Sequence, residues 1–73
     1  MVGTSRKILA INLKRLRTSK GWSQEQLALE SGLHRTFVAH VERGVRNISI
    51  DNIERLAVAL NVQSHDLLVD PVE

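Results

Sequence analysis

The chain predicts an all-α fold: one domain built from five short helices. Apolar residues recur at three- and four-residue intervals along most of its length, and no segment alternates apolar with polar at the period of two that a half-buried strand needs. Each apolar stripe is also bracketed by helix-start or helix-stop residues. At 73 residues and 42% hydrophobic content the chain has room for one small core, of the kind that supplies only about 3–5 kcal/mol. With no cysteine there is no disulfide to add to it and no thiolate metal site, which suits a reducing cytoplasm.

Leu9, Leu13 and Leu16 recur at i, i+4 and i+7, so a first amphipathic helix runs over residues 5–19 and stops at Lys20-Gly21. Ile8 and Ile11 lie off that stripe. Ser23 is placed to accept from the second or third free N–H of a second helix, which starts near Gln24, and Gln26 is placed to reach back and close a capping box. Leu27 and Ala28, with Gln24 and Ser31, form its inward stripe, and Gly32 ends it in the left-handed conformation. Leu33 fills the corner, His34 takes the next cap position, and a third helix spans residues 35–43. At about 100° per residue, Phe37, Val38 and Val41 fall on one side of that helix, with Arg35, Thr36, Ala39, His40 and Arg43 opposite. Ser49 caps a fourth helix, with Asp51 in its first turn and Ile53, Leu56, Ala57 and Leu60 as its buried stripe. After the turn Asn61-Val62-Gln63, Ser64 caps a last short helix through Leu68, and Pro71 stops it.

Two short helices joined by a glycine turn, the second with a polar outer face, have the layout of a helix-turn-helix reader of DNA. Arg35 adds to this. A cation in the first turn of a helix opposes the macrodipole at a cost of about 0.3 kcal/mol or more, so its place is better explained by a guanine edge or an anionic ligand than by stability.

Residues 23–44 read SQEQLALESGLHRTFVAHVERG and resemble the Xre/Cro-like phage-repressor family. The likeness rests on Gln24, the Leu27-Ala28 pair, Gly32 and Val41-Glu42-Arg43-Gly44. It extends to Leu13-Lys14-Arg15-Leu16-Arg17 on one side and Ile53 through Val62 on the other, covering about residues 9–68. The resemblance implies a five-helix, lambda-repressor-like DNA-binding domain over residues 1–73, with its motif at 23–44 and a dimerisation region at about 58–70. It implies a third helix lying in the major groove, with Arg35, Thr36, Ala39 and His40 at base edges. Arginine donates two parallel bonds to guanine O6 and N7, threonine meets a thymine methyl or a phosphate, and a small Ala39 lets the helix approach. Gln24 is then a phosphate anchor at a helix start. Ser23, Lys20 and Arg43 are further phosphate candidates, the loop residues Arg46 and Asn47 reach backbone or a groove edge, and Phe37, where relatives often carry tyrosine, packs or lays its ring edge on the DNA backbone. Arg17 and Glu42 match the positions of a partly buried structural ion pair.

Charge is unevenly spread. Net charge is only +2, yet residues 1–20 hold Arg6, Lys7, Lys14, Arg15, Arg17 and Lys20 with no acid, while residues 47–73 hold Asp51, Glu54, Asp66, Asp70 and Glu73 against Arg55. A basic end draws the phosphate backbone and an acidic end keeps the remainder away from it. At that acidic end Leu60, Val62, Leu67, Leu68 and Val69 offer more apolar surface than so small a domain can bury against itself, which predicts a homodimer on a pseudo-palindromic double-stranded operator.

Other classes are disfavoured. His34 and His40 are six residues apart on different helix faces and His65 lies in another helix, so no zinc spacing exists. No nucleophile elbow or phosphate-cradling glycine loop suggests an enzyme, and no cofactor or small-molecule ligand is expected. The longest apolar run, Leu56 to Leu60, is too short for a membrane span, and Met1-Val2-Gly3 lacks the glycine directly after Met1 that myristoylation needs. A cytoplasmic transcription regulator follows. The stretch Arg43 to Ser49, the small size and the lack of a sensor domain resemble controller proteins of restriction-modification systems. Small phage-type repressors and antitoxins share much of this pattern, although antitoxins usually carry an interaction segment beyond the helices, and here only residues 69–73 remain.

Overall fold

The computed structural model describes residues 4–71, so the features noted at Met1 to Gly3 and at Glu73 lie outside the described residues. Four α-helices follow one another, α1 (Thr4–Ser19), α2 (Gln24–Ser31), α3 (Arg35–Glu42) and α4 (Ile50–Leu60), and a 3₁₀ helix (Ser64–Leu68) closes the chain. No strand occurs among the described residues.

The local signals act as side-chain chemistry requires, with two corrections. Ser23 Oγ accepts from Gln26 N at 3.0 Å, and Ser49 Oγ accepts from Asn52 N at 3.1 Å. Gln26 does not complete a capping box: its Nε2 donates forward to Glu30 Oε2 at 2.8 Å, a charge-assisted i,i+4 pair on the same helix face. The last element is 3₁₀ rather than α, and it is capped by Gln63 rather than Ser64. Asp66 decides this. Its Oδ2 accepts from Gln63 N at 2.9 Å while its own N–H donates to Gln63 O at 3.0 Å, closing a three-residue step that five residues ahead of Pro71 cannot extend.

Between α2 and α3 the chain reverses at Gly32, whose φ of 72° lies in the left-handed region and lets Leu33 N donate to Ala28 O at 3.0 Å. A Cβ there would come no nearer than 3.7 Å to Arg55 Nη1, so the backbone angle rather than space calls for glycine.

All five elements share one core. Leu9 and Leu13 of α1, Leu27 and Ala28 of α2, Val38 and Val41 of α3, and Leu56, Ala57 and Leu60 of α4 are buried together, with Leu67 as the plug from the 3₁₀ helix. This corrects the expectation for Leu60 and Leu67. At 3% and 0% exposure they are spent on the monomer's own core and offer nothing to a second copy, whereas Leu68 and Val69 remain exposed and Val62 is half-buried. Ile11 faces solvent and Ile8 is half-buried, as residues off the α1 stripe must be.

One polar residue in this core escaped the sequence reading. Asn12 is fully buried, and its Nδ2 donates to Leu67 O at 2.9 Å and Val69 O at 2.8 Å, while its Oδ1 accepts from Arg15 Nη2 at 3.4 Å. A buried amide is tolerable when its hydrogen bonds are made, and here they clamp the chain's last turn onto α1.

Candidate nucleic-acid interface

Helix α3 presents what its sequence places on the outer face. Arg35 and Thr36 are exposed at its start and Arg43 at its end, Ala39 and His40 are half-buried, and Val38 and Val41 point inward. The N-terminus of α3 carries positive character without neutralisation: the first turn holds no acid and His34 makes no capping bond with its side chain. Arg35 adds a full charge there.

Behind α3 stands a buried polar hub. Glu42, at the end of the helix, accepts from Arg17 Nε at 2.6 Å, from Arg17 Nη2 at 3.0 Å and from Gln24 Nε2 at 3.0 Å, and its side chain is only 3% exposed. Arg17 also donates Nη1 to Trp22 O at 2.7 Å. One carboxylate thereby joins α1, the start of α2 and the end of α3. The hydrogen bond to Glu42 raises the Arg17 pKa above its ordinary value, outweighing the opposite effect of burial. Gln24, half-buried at the start of α2, spends one amide hydrogen on Glu42.

Flanking side chains are held by aromatic rings and by α1. Arg46 lies over the Phe37 ring, 5.4 Å from its centroid, and Lys20 lies over Trp22 at 5.1 Å. Asn47 Oδ1 accepts a hydrogen bond from Arg6 Nη2. An open groove of about 430 Å³ runs beside the start of α3, lined by His34, Thr36, Phe37, Arg46 and Asn52 among others. Ser23 is exposed, with its hydroxyl already accepting the α2 capping bond.

Two participants were missed in the sequence. Trp22 sits directly before the Ser23 cap and packs on the core that Leu27 enters; an apolar residue before a cap, five ahead of a buried leucine, is the spacing of a hydrophobic staple and could have revealed it. Arg6 had no local signal, because its partner lies 41 positions away.

A helix start bearing Arg35 and Thr36, braced by a glycine turn and a buried hub, defines a helix-turn-helix DNA-binding domain. The sequence model of the helix-turn-helix family HTH_3 matches residues 13–67, and the chain belongs to that Xre-like family of DNA-binding transcription regulators. It is 50% identical over 68 residues to a hypothetical transcription factor of Neisseria meningitidis, covering 93% of this chain and 64% of that protein. It is 46% identical over 69 residues to the control protein C.BamHI of Bacillus amyloliquefaciens, covering 93% of this chain and 85% of that one. The crystal structure of the restriction-modification controller protein C.AhdI from Aeromonas hydrophila superposes with a TM-score of 0.82 at 48% identity, covering 85% of this chain and 94% of that one. No helix among the described residues is long and apolar enough to cross a membrane.

Proposed function

We propose that the protein is a sequence-specific transcription regulator of the controller type, binding double-stranded DNA in the cytoplasm as a homodimer on a pseudo-palindromic operator. The observation that carries this reading is the exposed pair Arg35 and Thr36 at the unneutralised start of α3, beside a groove bearing Arg46. Arg35 reads guanine, Thr36 reads thymine or meets a phosphate, and Ala39 and His40 lie along the same helix, His40 reaching a phosphate or a base. Gln24, Ser23, Lys20, Arg43, Arg46, Asn47 and the Phe37 ring edge fix register on the backbone and groove rim. Likeness to two controller proteins across most of their length favours that type of regulator.

The homodimer is supported by exposed apolar surface at the far end of the chain. Leu68 and Val69, 44% and 51% exposed, are turned outward by a segment that Asn12 clamps, with half-buried Val62 nearby in sequence. Selection of bound sites from random duplexes tests the whole reading. It is expected to return two inverted half-sites, and a selection that returns no enriched motif would end the proposal.

A further inference from the structure

The loop that follows α3 is tied to the first turn of α1, and nothing in the operator reading above uses that tie. Arg6 sits in the first turn of α1, which contains no acid, so its cation opposes the helix macrodipole. Its guanidinium donates Nη2 to Asn47 Oδ1 across 41 positions of sequence, and both residues are exposed. The loop also packs there through its backbone. A Cβ on Gly44, φ 71°, would lie 3.9 Å from both Ala10 Cβ and Arg6 O. Arg46 and Asn47 share a groove of about 350 Å³ with Arg6, and Arg46 is common to that groove and to the one beside Thr36. The tie therefore lies next to the recognition face rather than behind it.

An asparagine amide offers one acceptor and two donors, and a free one rotates between two opposite presentations. Arginine has donors only, so it engages the oxygen and leaves the nitrogen. We propose that Arg6 is a positioning residue for DNA reading: by holding Asn47 Oδ1 it fixes the amide so that Nδ2 meets a hydrogen-bond acceptor of the duplex. The inference rests on the operator reading and adds to it a residue of α1, outside the helix-turn-helix, that sets the polarity of a loop contact. The acceptor is a phosphate oxygen or a base-edge nitrogen or oxygen. These two sources differ in one respect that can be measured, since a phosphate contact is lost uniformly over all sequences and a base contact at one position only.

A double-mutant cycle on affinity for the selected operator tests the proposal. Arg6→Ala and Asn47→Ala are each expected to weaken binding about tenfold, and the double variant about tenfold rather than hundredfold. Arg6→Lys keeps a donor and is expected to restore most of the affinity. Asn47→Asp is the discriminating variant. Its carboxylate pairs with Arg6, so the thermal midpoint is expected at or above that of the parent, yet it has no N–H to offer and is expected to bind DNA at least as weakly as Asn47→Ala. Losses that simply add, or an Arg6→Ala salt slope lowered by about 0.9 with Asn47 present or absent, would make Arg6 an independent phosphate contact and overturn the inference. A parent protein that binds selected duplex while the cycle adds overturns only this step; a parent that selects no duplex overturns the operator reading and this inference together.

Discussion

At the scale of the residue, the proposed function assigns reading and holding to different side chains on one short helix. Arg35 and Thr36 are exposed at the start of α3 and make no contact that the fold needs, while Glu42 at its end is buried and takes three hydrogen bonds. Arg35→Ala is accordingly expected to leave the thermal midpoint unchanged, to cost about 1–3 kcal/mol of operator affinity and to relax preference at one position in each half-site. Gln24→Ala should weaken all duplexes about equally, because a phosphate anchor carries no sequence; a selected motif that changes with Gln24 and not with Arg35 would reverse the two roles. Glu42→Ala is a different kind of variant. It strands the Arg17 guanidinium, 10% exposed, without its anion, and denaturant titration is expected to show a loss of about 3–5 kcal/mol. Arg17 itself adds no pH dependence at working pH: a raised cationic pKa gives stability that is complete below the unfolded value and lost only as pH rises through the folded one, in strong alkali.

At the scale of the element, what the sequence reveals depends on how far apart the interacting groups lie. The caps of α2 and α4 were legible because Ser23 and Ser49 act on N–H groups three residues ahead, and the reversal at Gly32 because only backbone angle decides it. Competition between local partners was less legible. Gln26 had two acceptable targets within a turn and took Glu30, and the last helix is capped by Gln63, whose N–H bonds Asp66, rather than by Ser64. Among the long-range polar contacts, Arg17 with Glu42 followed from the family resemblance, whereas helical period puts Asn12 on the α1 stripe without naming Leu67 and Val69 as its partners, and nothing near Arg6 points to Asn47. Within the candidate site this divides the residues sharply: the outer face of α3 follows from helical period alone, whereas the loop's tether to α1 appears only in three dimensions. Asn12 is the element-scale test. Asn12→Ala removes both bonds to the carbonyls of Leu67 and Val69, at a cost of about 1–3 kcal/mol, and hydrogen exchange is expected to quicken first over residues 67–70, ahead of α2 and α3. Uniform acceleration across the molecule would mean that the 3₁₀ segment is not a separately opening unit.

At the scale of the molecule, size bears on the proposal of two copies on DNA. The described residues extend 31 × 21 × 19 Å, so even the longest dimension is less than the 34–36 Å that separates major-groove faces one turn apart. On the proposed operator, one copy covers one half-site. On that proposal the second half-site needs a second copy, and Leu68 and Val69 offer it exposed apolar surface, Leu68 at the edge of the groove that Arg6, Arg46 and Asn47 line. With Leu60 and Leu67 committed to the core, the proposed interface keeps only Leu68 and Val69 as its exposed apolar residues, and a single charge there is expected to break it. Leu68→Glu is expected to sediment as a monomer at concentrations where the parent is dimeric, with an unchanged far-ultraviolet spectrum because its side chain lies outside the core. Its affinity for an isolated half-site should match the parent's, while affinity for the full palindrome should fall about hundredfold as the second contact ceases to be intramolecular. A Leu68→Glu protein that keeps the parent's sedimentation and palindrome affinity would place the two-fold contact elsewhere, and Val58, 72% exposed on α4, is the next position to charge.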